Sequence, residues 1–414
     1  MTMPAPAPAA DPDPRLGTLL DLTPIPTASG REGRVVRFIE RWAQARPWLA
    51  FTRDPAGNLV IQAREAKPSP TPLFITGHLD HPAFVVERVL APGVVEVSFR
   101  GGVMDVFFED APVTLYDERD APYAARLTGL ASTSSPAGKH YVAEVEGAPR
   151  GAGANLRVGD VGTWTLPGAE IDAQGLLHTP CCDDLAAVAA ALEAMSALFP
   201  TAEAARAGGG APDVRLLFTL AEEIGFIGAI AACKHQTMPK GSRVLALENS
   251  RAFPDSPVGG GPIVRVGDRL SVFTPWLTAA CAARAEQAFG GAAQPRASQT
   301  SAQASPRPWQ RKLMAGGACE ASVFCHAGYD ATCLCLPLGN YHNMPHLAEL
   351  QGGVYDRAAL GPPRAAREFI HTQDYLGLID LLVALGRTPP EAADSGVGKM
   401  TERLWNERKY VLGA

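Results

Sequence analysis

The sequence predicts an α/β protein with a mostly parallel or mixed central sheet, helices on both faces of that sheet, and a small all-β domain inserted into it. Two observations predict the sheet: apolar runs of strand length recur along the chain, and helical patterns lie between them. A third predicts the insertion, because residues 85–177 contain short alternating runs separated by glycine, proline and aspartate.

Four of the apolar runs end close to an acidic residue or a histidine. The runs are residues 73–76, 214–220, 244–247 and 332–336, and the polar residues that follow them are His78, the pair Glu222 and Glu223, Glu248, and His342. Ligands of open α/β sheets bind beyond the carboxyl ends of the strands. The runs therefore predict one polar site at one edge of the sheet.

Helical spacing of apolar residues predicts a helix that begins after Gly30 and carries Val35, Ile39 and Trp42 on one face. An alanine-rich run predicts a second helix over residues 185–198. The predicted α/β domain comprises residues 16–84 and 178–414, and residues 85–177 form the insertion. Residues 1–15 are predicted to be a disordered tail and residues 290–308 a flexible loop, because both are rich in alanine and proline.

Composition excludes several classes of function. The 414 residues carry a net charge of -6 and contain no basic stripe, so no nucleic-acid partner is expected. No run approaches the roughly 20 apolar residues of a membrane span, and the N-terminus lacks the pattern of a secretory signal. Eight cysteines without a Cys-x-x-Cys pair predict reduced thiols and a cytoplasmic location.

The polar residues at the strand ends suit a site for two metal ions. Carboxylates and neutral imidazoles bind zinc, cobalt and manganese, and two ions about 3.5–4 Å apart need a bridging carboxylate between them. Asp183 offers that bridge at the start of the second predicted helix, with the adjacent Asp184 as the alternative. Asp80, two residues after His78, is placed to orient the imidazole.

The adjacent pair Glu222 and Glu223 suits two different roles. On an extended backbone neighbouring side chains point in opposite directions. One glutamate can then bind a metal ion while the other acts as a general base.

The ordered series of motifs resembles the dinuclear-metal aminopeptidases of the glutamyl aminopeptidase family, also called tetrahedral aminopeptidases, some of which were once described as cellulases. The matching segments run along most of the chain and include Thr27-Ala28-Ser29-Gly30-Arg31-Glu32, Gly77-His78-Leu79-Asp80, Asp183-Asp184, Thr219-Leu220-Ala221-Glu222-Glu223-Ile224-Gly225, Gly261-Pro262 and Tyr341-His342. Each segment is weak evidence alone, and their order is strong evidence.

The resemblance implies a zinc-exopeptidase-like fold and a role for each residue. His78 and Glu248 would be terminal ligands of one divalent ion, Glu223 and His342 of the other, and Asp183 would bridge them. Glu222 would be the general base, zinc the expected ion, and cobalt or manganese the alternatives. The implied reaction removes N-terminal residues from peptides. The inserted domain would act as a lid and assembly domain in a homo-oligomer built from dimers, up to a dodecamer.

Four positions depart from the family pattern: His81, Leu185, Glu248 and Glu320. They leave two alternatives open, a related co-catalytic amidohydrolase that cleaves acylated amino acids and a catalytically silent relative that binds peptides. His346 competes with His342 as a ligand. For His81, a pocket position and a hydrogen-bonded structural position are both open.

Overall fold

The computed structural model describes residues 13–136, 138–147, 155–206, 212–293 and 307–413. Its α-helices are α1 (Leu16–Leu22), α2 (Gly33–Gln44), α3 (Leu185–Leu198), α4 (Ile227–Lys234), α5 (Pro275–Phe289), α6 (Glu320–His326), α7 (Leu347–Gln351), α8 (Arg357–Leu360), α9 (Thr372–Arg387) and α10 (Val397–Arg408). Most of the predicted tail and of the predicted flexible loop lies outside the described residues. Within the tail, Arg15 forms an ion pair with Asp380 at 2.9 Å.

The strands belong to three sheets. They are β1 (Leu49–Arg53), β2 (Leu59–Ala63), β3 (Leu73–His78), β4 (Ala83–Ala91), β5 (Val94–Arg100), β6 (Pro112–Tyr116), β7 (Pro122–Ser135), β8 (Gly138–Val145), β9 (Val161–Trp164), β10 (Glu170–Ile171), β11 (Leu176–Thr179), β12 (Val214–Thr219), β13 (Arg243–Arg251), β14 (Ile263–Gly267), β15 (Gln310–Leu313), β16 (Asp330–Leu338) and β17 (Glu368–His371).

The central sheet has eight strands in the order β1-β2-β12-β3-β13-β16-β14-β15. Its middle is parallel, because β3 pairs in parallel with both β12 and β13, and β13 pairs in parallel with β16. The pairs β1–β2, β2–β12 and β14–β16 are antiparallel. The prediction of a mixed α/β sheet is therefore confirmed, and the four predicted strands are β3, β12, β13 and β16.

Helix α3 packs against β3 and brings its N-terminal end close to the end of that strand. All but a few of its residues are buried, which its small alanine side chains allow. A Cβ atom at Gly77 would lie 2.8 Å from Asp184 Oδ2 and 3.2 Å from Val188. Glycine at this position therefore permits the close approach that places Asp183 and Asp184 beside His78.

The six strands β4, β5, β8, β7, β6 and β9 form a small closed barrel. The barrel has its own core, in which Phe84, Phe99, Phe108 and Trp164 contact one another. Strand β11, which the sequence places at the end of the insertion, pairs with β17 in a separate three-stranded sheet. This pairing follows from the chain returning from the barrel to the α/β part before α3 begins.

Two further findings concern membrane-spanning helices and the state of the cysteines. Among the described residues, no helix combines the length and apolar character that crossing a bilayer requires. All eight cysteines are free thiols, six of them buried.

Candidate metal centre

His78 is the last residue of β3, in the parallel middle of the sheet. Its Nδ1 atom lies 3.1 Å from the main-chain oxygen of Asp80 and 3.5 Å from Asp80 Oδ1. Both acceptors favour the tautomer with the proton on Nδ1, which leaves the lone pair of Nε2 available to a metal ion. Asp80 therefore occupies the orienting position that the sequence predicted for it.

Asp80 also fixes the segment that carries the paired glutamates. Its Oδ1 accepts a hydrogen bond from the amide of Glu222 at 2.9 Å, and its Oδ2 accepts from the amide of Glu223 at 3.0 Å and from Ser29 Oγ at 2.5 Å. Burial opposes ionisation of Asp80, but His78 and these donors lower its pKa below the ordinary value. One buried carboxylate thus connects the His78 strand end with the Glu222–Glu223 turn.

Asp183 lies between the two predicted histidine ligands. Its Oδ1 is 3.5 Å from His78 Nε2, and its Oδ2 is 3.4 Å from His342 Nε2. Burial opposes ionisation, but the two imidazoles outweigh it and hold the pKa of Asp183 well below its usual range. A carboxylate that offers one oxygen to each side has the arrangement that a bridging ligand needs.

The three glutamates complete the cluster. Glu223 Oε1 lies 3.5 Å from His342 Nε2, and Glu222 Oε2 lies 3.9 Å from His78 Nε2. Ligand atoms of His78, Glu222 and Glu248 lie within 4.8 Å of one another, and so do those of His78, Asp183 and Glu223. The structure therefore brings all the predicted site residues together, with Glu222 close enough to His78 and Glu248 to share their ion.

The condition of an extended backbone through both glutamates is not met, because Glu223 lies in a turn. Strand β12 ends at Thr219, Ala221 has φ 53°, and Glu223 opens a turn. The amide of Leu220 donates to Asn58 Oδ1 instead of continuing the strand pairing. The two side chains nevertheless approach different imidazoles, because the turn and the amide contacts to Asp80 separate them.

His342 is held by the loop after β16 and by the barrel. Its Nδ1 lies 2.7 Å from the carbonyl oxygen of Gly102, which leaves Nε2 facing Asp183 and Glu223. Burial lowers the pKa of His342, but Glu223 and Asp183 outweigh burial and raise it to about 9. The competing candidate, His346, is exposed and lies beside Tyr355, so it is outside the cluster.

The donor set fits divalent cations. Burial raises the pKa of Glu223 to about 7 and moves the pKa values of Glu222 and Glu248 well above their ordinary range. Asp183 Oδ1 and Glu223 Oε1 are buried without a hydrogen-bond partner. Such carboxylates are costly to bury unless they are paired or bind a metal. Among the described residues no lysine or arginine pairs with them, so cations would supply the missing charge.

Several supporting residues were not predicted. Asp184 Oδ2 accepts from the amide of His78 at 3.3 Å, while Asp184 makes no capping hydrogen bond to α3. Glu320 is buried, accepts from Thr219 Oγ1 at 2.5 Å, and has a pKa raised to about 7 by burial. Glu368 accepts the amides of Asp183 and His342. Only Asp184 could have been found from sequence, through its place beside Asp183.

The sequence left two positions open for His81, one in the pocket and one as a hydrogen-bonded structural residue. The structure shows the hydrogen-bonded one. Its Nδ1 lies 2.6 Å from the main-chain oxygen of Asp183, and its Nε2 lies 3.0 Å from Asn343 Oδ1. Its side chain is buried. The His81 ring therefore contacts the main chain of Asp183 through Nδ1 and the side chain of Asn343, next to His342, through Nε2.

A cavity of about 410 Å³ adjoins Glu248. Its walls are mostly apolar, and they come from the barrel loop, the central sheet and the segment after His342: Met104, Phe253, Met314, Tyr341, Met344 and Leu347. Arg265 also lines the cavity and is only 2 % exposed. Its Nη1 donates to Ser250 Oγ at 3.2 Å, and its Nη2 has no hydrogen-bond partner.

A mixed α/β sheet and a closed barrel surround a buried cluster of imidazoles and carboxylates that could hold divalent ions. The model of the M42 glutamyl aminopeptidase family matches residues 57–289, more than half of the chain, and the chain therefore belongs to this family. The resemblance seen in the sequence motifs is thereby confirmed. A search of curated proteins finds no match.

Solved structures with the same fold include a TET aminopeptidase from a marine-sediment archaeon of the Thaumarchaeota, with 17% identity, a TM-score of 0.69, and coverage of 93% of this chain and 99% of that one. The Pyrococcus horikoshii TET1 peptidase shares 18% identity over 90% of this chain and 99% of its own, with a TM-score of 0.66. A Thermotoga maritima protein described as an endoglucanase has 17% identity, coverage of 91% and 97%, and a TM-score of 0.57. At these identities the likeness concerns the fold.

Proposed function

We propose that this chain is an aminopeptidase that depends on two divalent metal ions and removes N-terminal residues from peptides. The observation that carries the proposal is the position of Asp183 between His78 and His342, 3.5 and 3.4 Å from their Nε2 atoms. Membership of a peptidase family supports the reaction class. Zinc is the proposed ion, and cobalt and manganese also suit these ligands.

The proposed ligand sets are those that the family resemblance implies, and the distances in the cluster support them. His78 and Glu248 would hold one ion, Glu223 and His342 would hold the other, and Asp183 would contribute to both. Two ions held in this way would polarise the scissile carbonyl and activate a water molecule. The buried Nδ1 contacts of both imidazoles keep their Nε2 atoms directed at the ions.

Glu222 is the proposed general base. Its main chain is fixed by Asp80, while its carboxylate makes no hydrogen bond among the described residues. In its ionised form, a carboxylate that makes no hydrogen bond among the described residues can accept a proton from the attacking water and donate it to the leaving amine. Asp80 takes no part in proton transfer and keeps His78 and the Glu222 segment in place.

The cavity beside Glu248 is the proposed binding site for the side chain of the N-terminal residue. Most of its wall is apolar, but Arg265 places a buried guanidinium there with one nitrogen unpaired. We therefore infer a preference for acidic N-terminal residues, whose carboxylate can pair with Arg265. The name of the matching family, glutamyl aminopeptidase, is in line with this inference.

The barrel is proposed to act as a lid and assembly domain, because it contributes both the Gly102 carbonyl and one wall of the cavity. A homo-oligomer is also proposed. The related Pyrococcus horikoshii peptidase can assemble into a tetrahedron or a large octahedral shell. Light scattering on the purified chain tests this part, and a monomer at working concentration would contradict it.

Hydrolysis of matched substrates tests the proposed reaction. A glutamyl anilide with a free amine should be cleaved, and the same anilide with an acetylated amine should not, since an aminopeptidase binds the free amine. Release of acetate from the acetylated substrate, with no aniline released from either substrate, would support the deacylase alternative. Failure to cleave either substrate, with metal present, would support the silent peptide-binding alternative.

A further inference from the structure

Glu368, the first residue of β17, is fully buried beneath the metal centre. Its Oε2 accepts hydrogen bonds from the amides of Cys182 at 2.6 Å and Asp183 at 3.1 Å. Its Oε1 accepts from the amide of His342 at 2.8 Å. A single side chain therefore joins two main-chain segments that are far apart in sequence.

The contacts of Glu368 are unusual for a buried carboxylate, which is ordinarily paired with a cation. In the part of the chain that the structure describes, its hydrogen-bond donors are all main-chain amides, and no lysine or arginine pairs with it. The carboxylate lies among further acids of the cluster. The amides and the nearby imidazoles of His81 and His342 stabilise the carboxylate, and the carboxylate in turn fixes the positions of the amides.

Both segments carry a ligand of the same proposed ion. Asp183 Oδ2 and His342 Nε2 are 3.4 Å apart, and both segments lie outside regular strands. His342 has φ 55°, and its neighbours Asn340 and Asn343 also have positive φ. Non-glycine residues in this conformation cost free energy and need support from surrounding contacts. The hydrogen bond to Glu368 supplies such support to the amide of His342.

The other side of the cluster is held differently. His78 and Glu248 belong to β3 and β13, neighbouring strands in the middle of the sheet. Their main chain is held by strand pairing, of His78 with Thr219 and of Glu248 with Cys335, and the amide of His78 also donates to Asp184 Oδ2 at 3.3 Å. The two proposed ions therefore differ in what positions their ligands.

We propose that Glu368 is a positioning residue that holds Asp183 and His342 in register for the ion on the His342 side. The proposal rests on the proposed two-metal function. Loss of Glu368 should weaken binding of that ion while the ion on the His78 side stays bound. Supporting residues of this kind typically change metal affinity by about 10- to 100-fold.

The test uses Glu368→Gln, which keeps the side-chain volume but replaces one acceptor oxygen with an amide NH2 group, a donor that then faces a main-chain N–H. Purified apo-protein is titrated with Co²⁺, and binding is followed by the visible absorption of the bound ion and by calorimetry. Wild-type protein should bind two equivalents. The variant should bind the second equivalent about 10- to 100-fold more weakly and the first with a much smaller loss, because Asp183 would contribute to both ions and His342 to one of them.

The matched control is Asp374→Asn. Asp374 is also a buried carboxylate that accepts two amides, from Gly259 and Gly261, each at 2.7 Å, but it lies outside the cluster. This variant should lower the thermal stability and still bind two equivalents of Co²⁺ with wild-type affinity. Weaker binding of the second Co²⁺ ion by Glu368→Gln, with unchanged binding by Asp374→Asn, separates a positioning role of Glu368 from general destabilisation of the fold.

Glu368→Asp covers the case in which Glu368→Gln does not fold. It keeps the charge and shortens the side chain by one methylene, so it should show the same selective loss to a smaller degree. Two equivalents bound with wild-type affinity by a folded variant, or equal weakening of both ions, would overturn the role of Glu368. A wild-type protein that does not bind two equivalents would overturn the proposed function instead.

Discussion

His342 Nδ1 lies 2.7 Å from the carbonyl oxygen of Gly102, so a loop of the barrel orients a predicted metal ligand that belongs to the α/β part. The loop follows β5 directly, and its conformation depends on Gly101, which has φ 133°. A Cβ atom at Gly101 would lie 2.6 Å from Pro82 Cβ, closer than two such atoms approach. The barrel therefore influences the metal centre through its main chain.

Gly101→Ala should displace this loop and loosen His342. We expect weaker binding of the second metal ion, by about 10-fold or more, because the contact that orients the imidazole is lost. Gly102→Ala is the control, since its Cβ would lie 3.8 Å from His342 Nδ1, an ordinary contact. Metal titration of both proteins checks the prediction, and equal affinities would refute the link between barrel and site.

Asp183→Asn should remove the bridge between the two ions. An amide oxygen is a weaker ligand and cannot offer two equivalent oxygens, so we expect the variant to retain at most one tightly bound ion and to lose hydrolysis. Asp184→Asn should keep both ions, because Asp184 contacts the amide of His78 and not an imidazole nitrogen. Elemental analysis of both variants decides which aspartate bridges. The reverse result would assign the bridge to Asp184.

Glu222→Gln should separate proton transfer from metal binding. Removing a general base typically costs about 10²- to 10⁴-fold in rate, so kcat should fall in that range while two ions remain bound. Glu223→Gln should instead lose metal, since Glu223 Oε1 lies 3.5 Å from His342 Nε2. Steady-state kinetics and metal content, both measured for Glu222→Gln and Glu223→Gln, test these two expectations. Loss of an ion from Glu222→Gln would make Glu222 a ligand.

Arg265→Met should change the choice of substrate. We expect the ratio of kcat/KM for glutamyl over leucyl anilides to fall by about 10- to 100-fold, the loss expected for one hydrogen bond to a charged group. Arg251→Met is the control, because Arg251 lines the same cavity but already donates to Gln351 Oε1 at 2.6 Å. A similar fall in both variants would mean that the overall positive charge of the cavity, and not Arg265 itself, sets the preference. An unchanged ratio in Arg265→Met would exclude pairing of Arg265 with the substrate carboxylate.

Metal removal should destabilise the folded chain, because buried carboxylates of the cluster lose their counter-charge. An ion present at 100 times its Kd stabilises the protein that binds it by about 2.7 kcal/mol. Chelation should therefore lower Tm, and zinc should restore it. Differential scanning calorimetry with and without chelator measures the change. Identical transitions would mean that no ion is bound in the folded state.

The predicted ligands could be found from sequence because each follows a local pattern. Apolar runs identify β3, β12, β13 and β16, and His78 and Glu248 belong to two of these strands. The helix over residues 185–198 was predicted with its bounds, since an unbroken alanine-rich run ends in Phe199-Pro200. His78 ends β3 and Asp183 comes just before α3, whereas Glu248 lies inside β13, and Glu223 and His342 lie in the segments after β12 and β16.

The supports of the ligands could not be predicted, since they depend on tertiary contacts. Glu368 lies 26 residues after His342 in sequence, and no local pattern marks it as a partner of that amide. The Gly102 carbonyl is a main-chain group that any residue would provide. The turn at Ala221 replaced the expected extended segment because Asn58 and Asp80 bind the amides of Leu220 and Glu222. Such contacts exist only once distant segments have come together.

A crystal of the protein grown with zinc, with anomalous diffraction recorded at the zinc edge, would show whether the cluster holds two metal ions. We expect two peaks about 3.5–4 Å apart, one beside His78 and Glu248, the other beside His342 and Glu223, with the carboxylate of Asp183 between them. A single peak, or two peaks that Asp183 does not join, would contradict the two-metal proposal.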